Sequence, residues 1–195
     1  MKAMPAILAP ILRSELQGRI LARLYLDERQ EWTPSELARV VGSSLPTVLR
    51  EVDRLAAAGY LNERKLGRSR VMSPDPGHPL HEAIRRIVLY GYGPKAAIES
   101  AFGGVKGVEK IVIHGSWAAR YLGIEGREPE DVDVVVVGTP DPGAIHRAAE
   151  DATRRTGRPI NAAVISPDRW TAADDGFIAT VRSRPMLEWT PEAAS

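Results

Sequence analysis

The stretch TPSELARVVGSSLPTVLREVDRLAAAGYL, residues 33–61, decides how the first part of the chain folds. Thr33 is followed by Pro34 and, three residues on, by Glu36, which is a capping box with proline at the first helical position. Leu37, Val40 and Val41 then supply an apolar stripe, and Gly42 supplies a stop. Ser43 or Ser44 caps a longer helix running to about Ala58, with Leu45, Val48, Leu49, Val52 and Leu55 at helical spacing and Gly59 as its stop. Two helices joined by a tight glycine-containing turn make a helix-turn-helix.

Working outward, Leu16, Ile20, Leu21 and Leu24 recur at helical spacing upstream. Downstream, residues 60–72 predict two short strands around Leu66 and Gly67. This hairpin holds Arg64, Lys65, Arg68 and Arg70 against the single acid Glu63, a balance suited to phosphate or minor-groove contact. On the longer helix the apolar positions leave Thr47, Arg50, Glu51 and Arg54 on the other face, with Ser44 and Pro46 near its start. Early residues of such a second helix meet base edges, so Ser44, Thr47 and Arg50 are candidates for direct readout. Arg54 and the four hairpin cations complete the expected DNA-binding set. The plainer alternative is a small helical domain whose solvated hairpin packs against another protein. Residues 14–73 resemble the winged helix-turn-helix regulators of the ArsR and MarR type. That resemblance implies double-stranded DNA as partner and a homodimer on a pseudo-palindromic operator.

The whole chain has 195 residues, 26 Lys plus Arg against 25 Asp plus Glu, and 44% hydrophobic residues. A chain of this length buries roughly 70% of its unfolded surface, enough for one good core or two small ones. With no Cys, disulfides, thiolate zinc sites and a cysteine nucleophile are excluded. A net charge of +1 says nothing for or against nucleic acid, since a balanced total hides local patches. The apolar stretch from Met4 to Leu12 is short and interrupted by two prolines, and reads as a packing arm and part of an interface. The longest later apolar run, Val132 to Val137, is far below the roughly 20 residues of a membrane helix, so no membrane association and a cytoplasmic location are expected.

The segment SPDPGHP, residues 73–79, is a turn-rich connector. Beyond it helices are expected at about 80–90 and 95–102, and β-branched strands at 108–114, 132–137 and 160–165. The expected layout is a DNA-binding domain with its arm over 1–79, a helical connector over 80–103 and a second domain over 104–195.

In that second domain, IVIHGSWAARYLG, residues 111–123, reads as a strand that ends at Gly115 and Ser116 and opens a helix, a geometry that brings backbone N–H groups toward an anion. PEDVDVVVVG, residues 129–138, then places Asp131 and Asp133 two apart at the entrance of a valine strand, so both carboxylates project from one face. Two hard oxygen ligands so placed suit Mg²⁺. The bland alternative is a solvated acidic strand entrance.

Together Gly115, Ser116, Arg120, Asp131 and Asp133 resemble the signature of the polymerase β-like nucleotidyltransferases, in their minimal branch, over about 104–165. The resemblance implies an α+β chain overall, a winged helix followed by a small mixed-sheet nucleotidyltransferase-like domain. It implies that Gly115 and Ser116 hold a nucleoside triphosphate, that Arg120 steadies its phosphates, and that Asp131 and Asp133 are catalytic and bind Mg²⁺. The family's third carboxylate is replaced by Asn161, which cannot accept a proton at neutral pH. The acids Glu125, Glu128 and Glu130 of the intervening loop would repel a triphosphate. His114 reads as a locally bonded strand-end residue, and Trp117 as either a base-stacking or a core side chain. Asp168 is expected to cap a helix, and Asp174 and Asp175 to begin one.

Two readings follow: a DNA-binding transcription regulator whose second domain senses nucleotide or has lost its chemistry, or an active Mg²⁺-dependent transferase of nucleoside monophosphate to protein, RNA or a small molecule. Chains of this two-part kind resemble antitoxins that repress their own promoter, which would add a partner toxin.

Overall fold

The computed structural model describes residues 11–27, 31–127, 129–172 and 175–191. Most of the apolar stretch from Met4 to Leu12, together with Glu128 and Asp174, lies outside them. The chain divides into two compact units, Met1–Gly93 and Pro94–Ser195.

In the first unit, helix α1 (Glu15–Leu26) starts at Ser14, whose hydroxyl accepts from the Gln17 amide at 3.1 Å. Helix α2 (Pro34–Val41) carries the full capping box: the Glu36 amide donates to Thr33 Oγ1 at 3.2 Å and the Thr33 amide to Glu36 Oε2 at 2.9 Å. Gly42, at φ 64°, turns the chain in the left-handed region into helix α3 (Leu45–Ala57). Strands β1 (Leu61–Leu66) and β2 (Ser69–Pro74) form an antiparallel hairpin with Leu66 opposite Ser69. Helix α4 (His81–Tyr92) lies on α1, where Gly18 leaves room for the Tyr92 ring and the Tyr92 hydroxyl donates to Glu15 at 2.9 Å. Ile20, Leu24, Leu37, Val48, Val52 and Met72 are wholly buried between these elements. At about 1.5 to 3 kcal/mol per buried side chain, this core drives the unit's folding.

The 80–103 stretch is divided between the two units. Its first helix belongs with α1, and its second, α5 (Pro94–Phe102), packs on a helix of the second unit, α7 (Pro142–Thr156). The break falls where Gly93 is extended and Pro94 has no N–H with which to continue α4.

The second unit is built on a four-stranded mixed sheet in the order β5-β4-β3-β6. Strand β3 (Val108–His114) runs antiparallel to β4 (Val132–Gly138) and to β6 (Leu187–Trp189), while β4 and β5 (Ile160–Ile165) are parallel and joined through α7. Helix α6 (Gly115–Tyr121) leaves the end of β3. Val134 to Val137 are all buried, as a strand covered on both faces requires. On one face Val112, Val135, Val137 and Ile165 meet Trp170 of α8 (Pro167–Thr171) and Ile178 and Val181 of α9 (Gly176–Arg182). The two sheet edges differ. β6 is short and carries Glu188, which pairs with Lys110 at 3.3 Å, whereas β5 offers six uncharged residues of which Asn161, Ala163 and Val164 are exposed. Among the described residues no helix is long and apolar enough to cross a membrane.

Candidate functional site

The start of α3 is organised by Ser44. Its hydroxyl caps the helix at the Thr47 amide, 3.4 Å away, and lies 2.7 Å from the Thr47 hydroxyl, to which Arg50 Nη2 donates at 3.4 Å. Ser44 and Arg50 are exposed and Thr47 is half-buried, so the three form one polar edge along the first turns. Arg54, a turn further on, is exposed and pairs with Glu51 at 3.2 Å. Glu51 departs from the expectation that it shares the open face. It is 8% exposed, and its Oε1 is buried with no hydrogen-bond partner among the described residues. The apolar stripe of α3 is wide enough to draw in the residue beside Val52.

The hairpin's four cations are not equivalent. Arg64 donates through Nε to one oxygen of Glu31 at 3.0 Å and through Nη2 to the other at 2.5 Å, which holds the Glu31 carboxyl below the ordinary carboxylate range. Arg70 donates to both oxygens of Glu63, at 2.8 and 2.7 Å, and to Asp53 of α3 at 2.8 Å. Lys65 and Arg68 are exposed, and no carboxylate among the described residues pairs with them. Sequence reasoning counted four equal cations. The missed partners lie far along the chain, except Glu63, which is two rungs from the position facing Arg70 in the hairpin.

In the second unit, His114, Asp133 and Asn161 stand in one register row across β3, β4 and β5. Gly115 has φ 77°, and a Cβ there would lie 2.8 Å from Asp133 Oδ2, so the carboxylate rests directly against the glycine that opens α6. Asp131, just before β4, accepts from Asn161 Nδ2 at 2.8 Å. Gly115, Asp131, Asp133 and Asn161 are thus brought together, with Ser116 exposed at the first turn of α6. Arg120 is turned elsewhere. It sits in the last turn of α6, its guanidinium lies against Gly126 and donates to the Ile124 carbonyl, and its buried Nε has no partner among the described residues.

Half-buried His114 meets the Phe177 ring edge-on with centroids 5.9 Å apart. Burial lowers its pKa from the ordinary imidazole value, and the Asp133 charge partly offsets this. Trp117 is 5% exposed and stacked on Tyr121, a core arrangement. Glu130 pairs with Arg127. Ser166, not Asp168, caps α8, because its hydroxyl is the group that reaches the Arg169 amide. Asp175 caps α9, accepting from the amides of Phe177 and Ile178 and from Arg169 Nε at 2.6 Å, contacts that keep its carboxyl strongly acidic. Among the described residues no group of three or more His, Asp or Glu side chains is placed to hold a metal ion.

No protein-family model matches the chain, and no curated protein does. Solved structures similar to part of it include MepR, a transcription regulator of the Staphylococcus aureus multidrug efflux pump MepA, at 22% identity and a TM-score of 0.34, over 38% of this chain and 57% of MepR. Reduced HlyU from Vibrio cholerae matches at 19% identity and a TM-score of 0.36, over 44% of this chain and 84% of HlyU. TubR of Bacillus thuringiensis, bound to 24 bp of tubC, matches at 20% identity and a TM-score of 0.34, over 49% of this chain and 100% of TubR.

Proposed function

We propose that the chain is a DNA-binding transcription regulator that acts as a homodimer, with a second unit that is nucleotidyltransferase-like and senses a nucleoside triphosphate without transferring it. The observation that carries the DNA reading is the polar edge of Ser44, Thr47 and Arg50 on α3, in a unit whose hairpin leaves Lys65 and Arg68 exposed without carboxylate partners among the described residues. Base edges are read by the first group and phosphates by the second.

For the second unit, Asn161 is the deciding residue. Its amide satisfies Asp131, leaves no proton acceptor in the third position, and brings one fewer negative charge than a carboxylate. Two carboxylates and an amide fit one Mg²⁺ arriving with phosphates, held by Asp131 and Asp133. They do not fit the metal pair that polarises both oxygens in an in-line transfer. Ser116 and the Gly115 turn face the phosphates in this reading.

The test is binding of the full chain to a duplex selected from random sequence. Arg50→Ala is expected to weaken that duplex by about 1 to 3 kcal/mol and scarcely affect a scrambled one. Arg68→Ala is expected to weaken both alike and to reduce the salt slope by about 1, with smaller changes from Arg64→Ala and Arg70→Ala. Equal losses on both duplexes from Arg50→Ala would remove α3 as the reader. Incubation with labelled nucleoside triphosphates and Mg²⁺ tests the sensor. Saturable binding without pyrophosphate release is expected, and label transfer abolished by Asp133→Asn would establish the active enzyme instead.

A further inference from the structure

An aromatic ring is left partly exposed beside His114, the neighbour of Asp133 across the sheet. Helix α9 turns Ile178 and Val181 into the core, yet Phe177, one residue before Ile178, remains 42% exposed. Isolated exposed apolar residues are ordinary, so the surroundings of this one decide its meaning. Its ring lies edge-on to His114, the register partner of Asp133, whose carboxylate rests on Gly115. Its backbone is fixed by the Asp175 cap, itself held by Arg169. The segment is anchored at both its polar start and its apolar side, and the partly exposed ring is presented one side chain, His114, away from Asp133.

We propose that Phe177 is the platform on which the base of a bound nucleotide stacks, and that the ligand is a purine nucleotide. This rests on the nucleotide reading of the Gly115 and Asp133 site. A partly exposed ring one side chain from the turn proposed to hold phosphates matches the two ends of a nucleotide, apolar base and charged phosphates. A purine covers more of the phenyl ring than a pyrimidine does, and the gain scales with the apolar area removed from water. Phe177 makes no hydrogen bond through its side chain, so it selects by ring area and leaves adenine and guanine alike.

The experiment titrates the full chain with the Mg²⁺ complexes of ATP, GTP, CTP and UTP and with inorganic tripolyphosphate. ATP and GTP are expected to bind more tightly than CTP and UTP. Phe177→Ala is expected to weaken ATP about tenfold, as loss of one base–aromatic stack does, while leaving tripolyphosphate unchanged. Phe177→Leu, which keeps apolar bulk without a ring face, should behave like Phe177→Ala, and Phe177→Trp should restore affinity. ATP binding that is lost in Asp133→Asn but indifferent to Phe177→Ala would overturn the platform and leave the nucleotide site standing. Failure of the unaltered chain to bind either ATP or tripolyphosphate would overturn both. A Phe177→Ala variant that changes oligomeric state instead of ATP affinity would make the ring an interface residue and refute the stacking role.

Discussion

The leading edge of α3 and the entrance of β4 both gather polar residues within a few positions, and they use them in opposite ways. On α3 the hydroxyls of Ser44 and Thr47 and the Arg50 guanidinium form an open chain whose last member faces water. At β4 the groups close on one another, Asn161 against Asp131 and Asp133 against Gly115. A polar cluster with an open end has hydrogen-bonding capacity left for a large partner. One in which an amide already holds one carboxylate, as Asn161 holds Asp131, keeps only a few oxygens for a ligand, which suits a small ion-bearing molecule.

The sharpest way to break this contrast is to ask whether the two regions fold on separate cores. Leu37→Ala, wholly buried in the first unit, is expected to cost about 3 kcal/mol. Calorimetry should show it lowering one of two transitions, and a single transition moving as a whole would defeat the separation. Gly115→Ala comes next, at about 1 to 2 kcal/mol for a non-glycine residue in the left-handed region. It should lower the other transition and abolish nucleotide binding. The added methyl would also crowd Asp133, so Gly115→Ala combined with Asp133→Ala should lose less than the sum of the two.

The smallest effect belongs to His114. Its folded pKa is lowered by burial, so the unfolded chain takes up the proton more readily. The second unit should therefore hold its full stability above the ordinary imidazole value of about 6.5 and lose some as the pH falls below it. His114→Gln should flatten that slope in pH-dependent melts.

How legible these regions were in the sequence follows from the range of the interactions that build them. α2, α3 and the hairpin are specified by residues three or four apart, such as Thr33 with Glu36, and their ends agree with the expectation to within a residue or so. Strand β4 was readable because Val134 to Val137 run without interruption, and β3 and β5 because each carries a shorter β-branched group, Ile111 to Ile113 and Val164 with Ile165. Helix α7 was missed although Asp141, Pro142 and Gly157 mark both its ends, because its buried stripe is Ile145 with Ala148 and Ala152, a single large apolar residue among alanines. β6 has three residues and no pattern, so only its pairing with β3 creates it. Of the acids chosen by their spacing, Asp133 lies against Gly115 and Asp131 bonds Asn161, while Arg120, chosen with them, turns to the Ile124 carbonyl, since its direction depends on a loop that no local rule specifies.

The bare flank of β5 has a consequence for handling the protein. Among the described residues no strand lies beside its outer amides and carbonyls, and no lysine, glutamate or proline interrupts the row from Ile160 to Ile165. During recovery from denaturant, an incompletely folded neighbour can zip onto this margin as readily as onto its own sheet. Refolding yield is therefore expected to fall as concentration rises, with dilution favouring the native molecule.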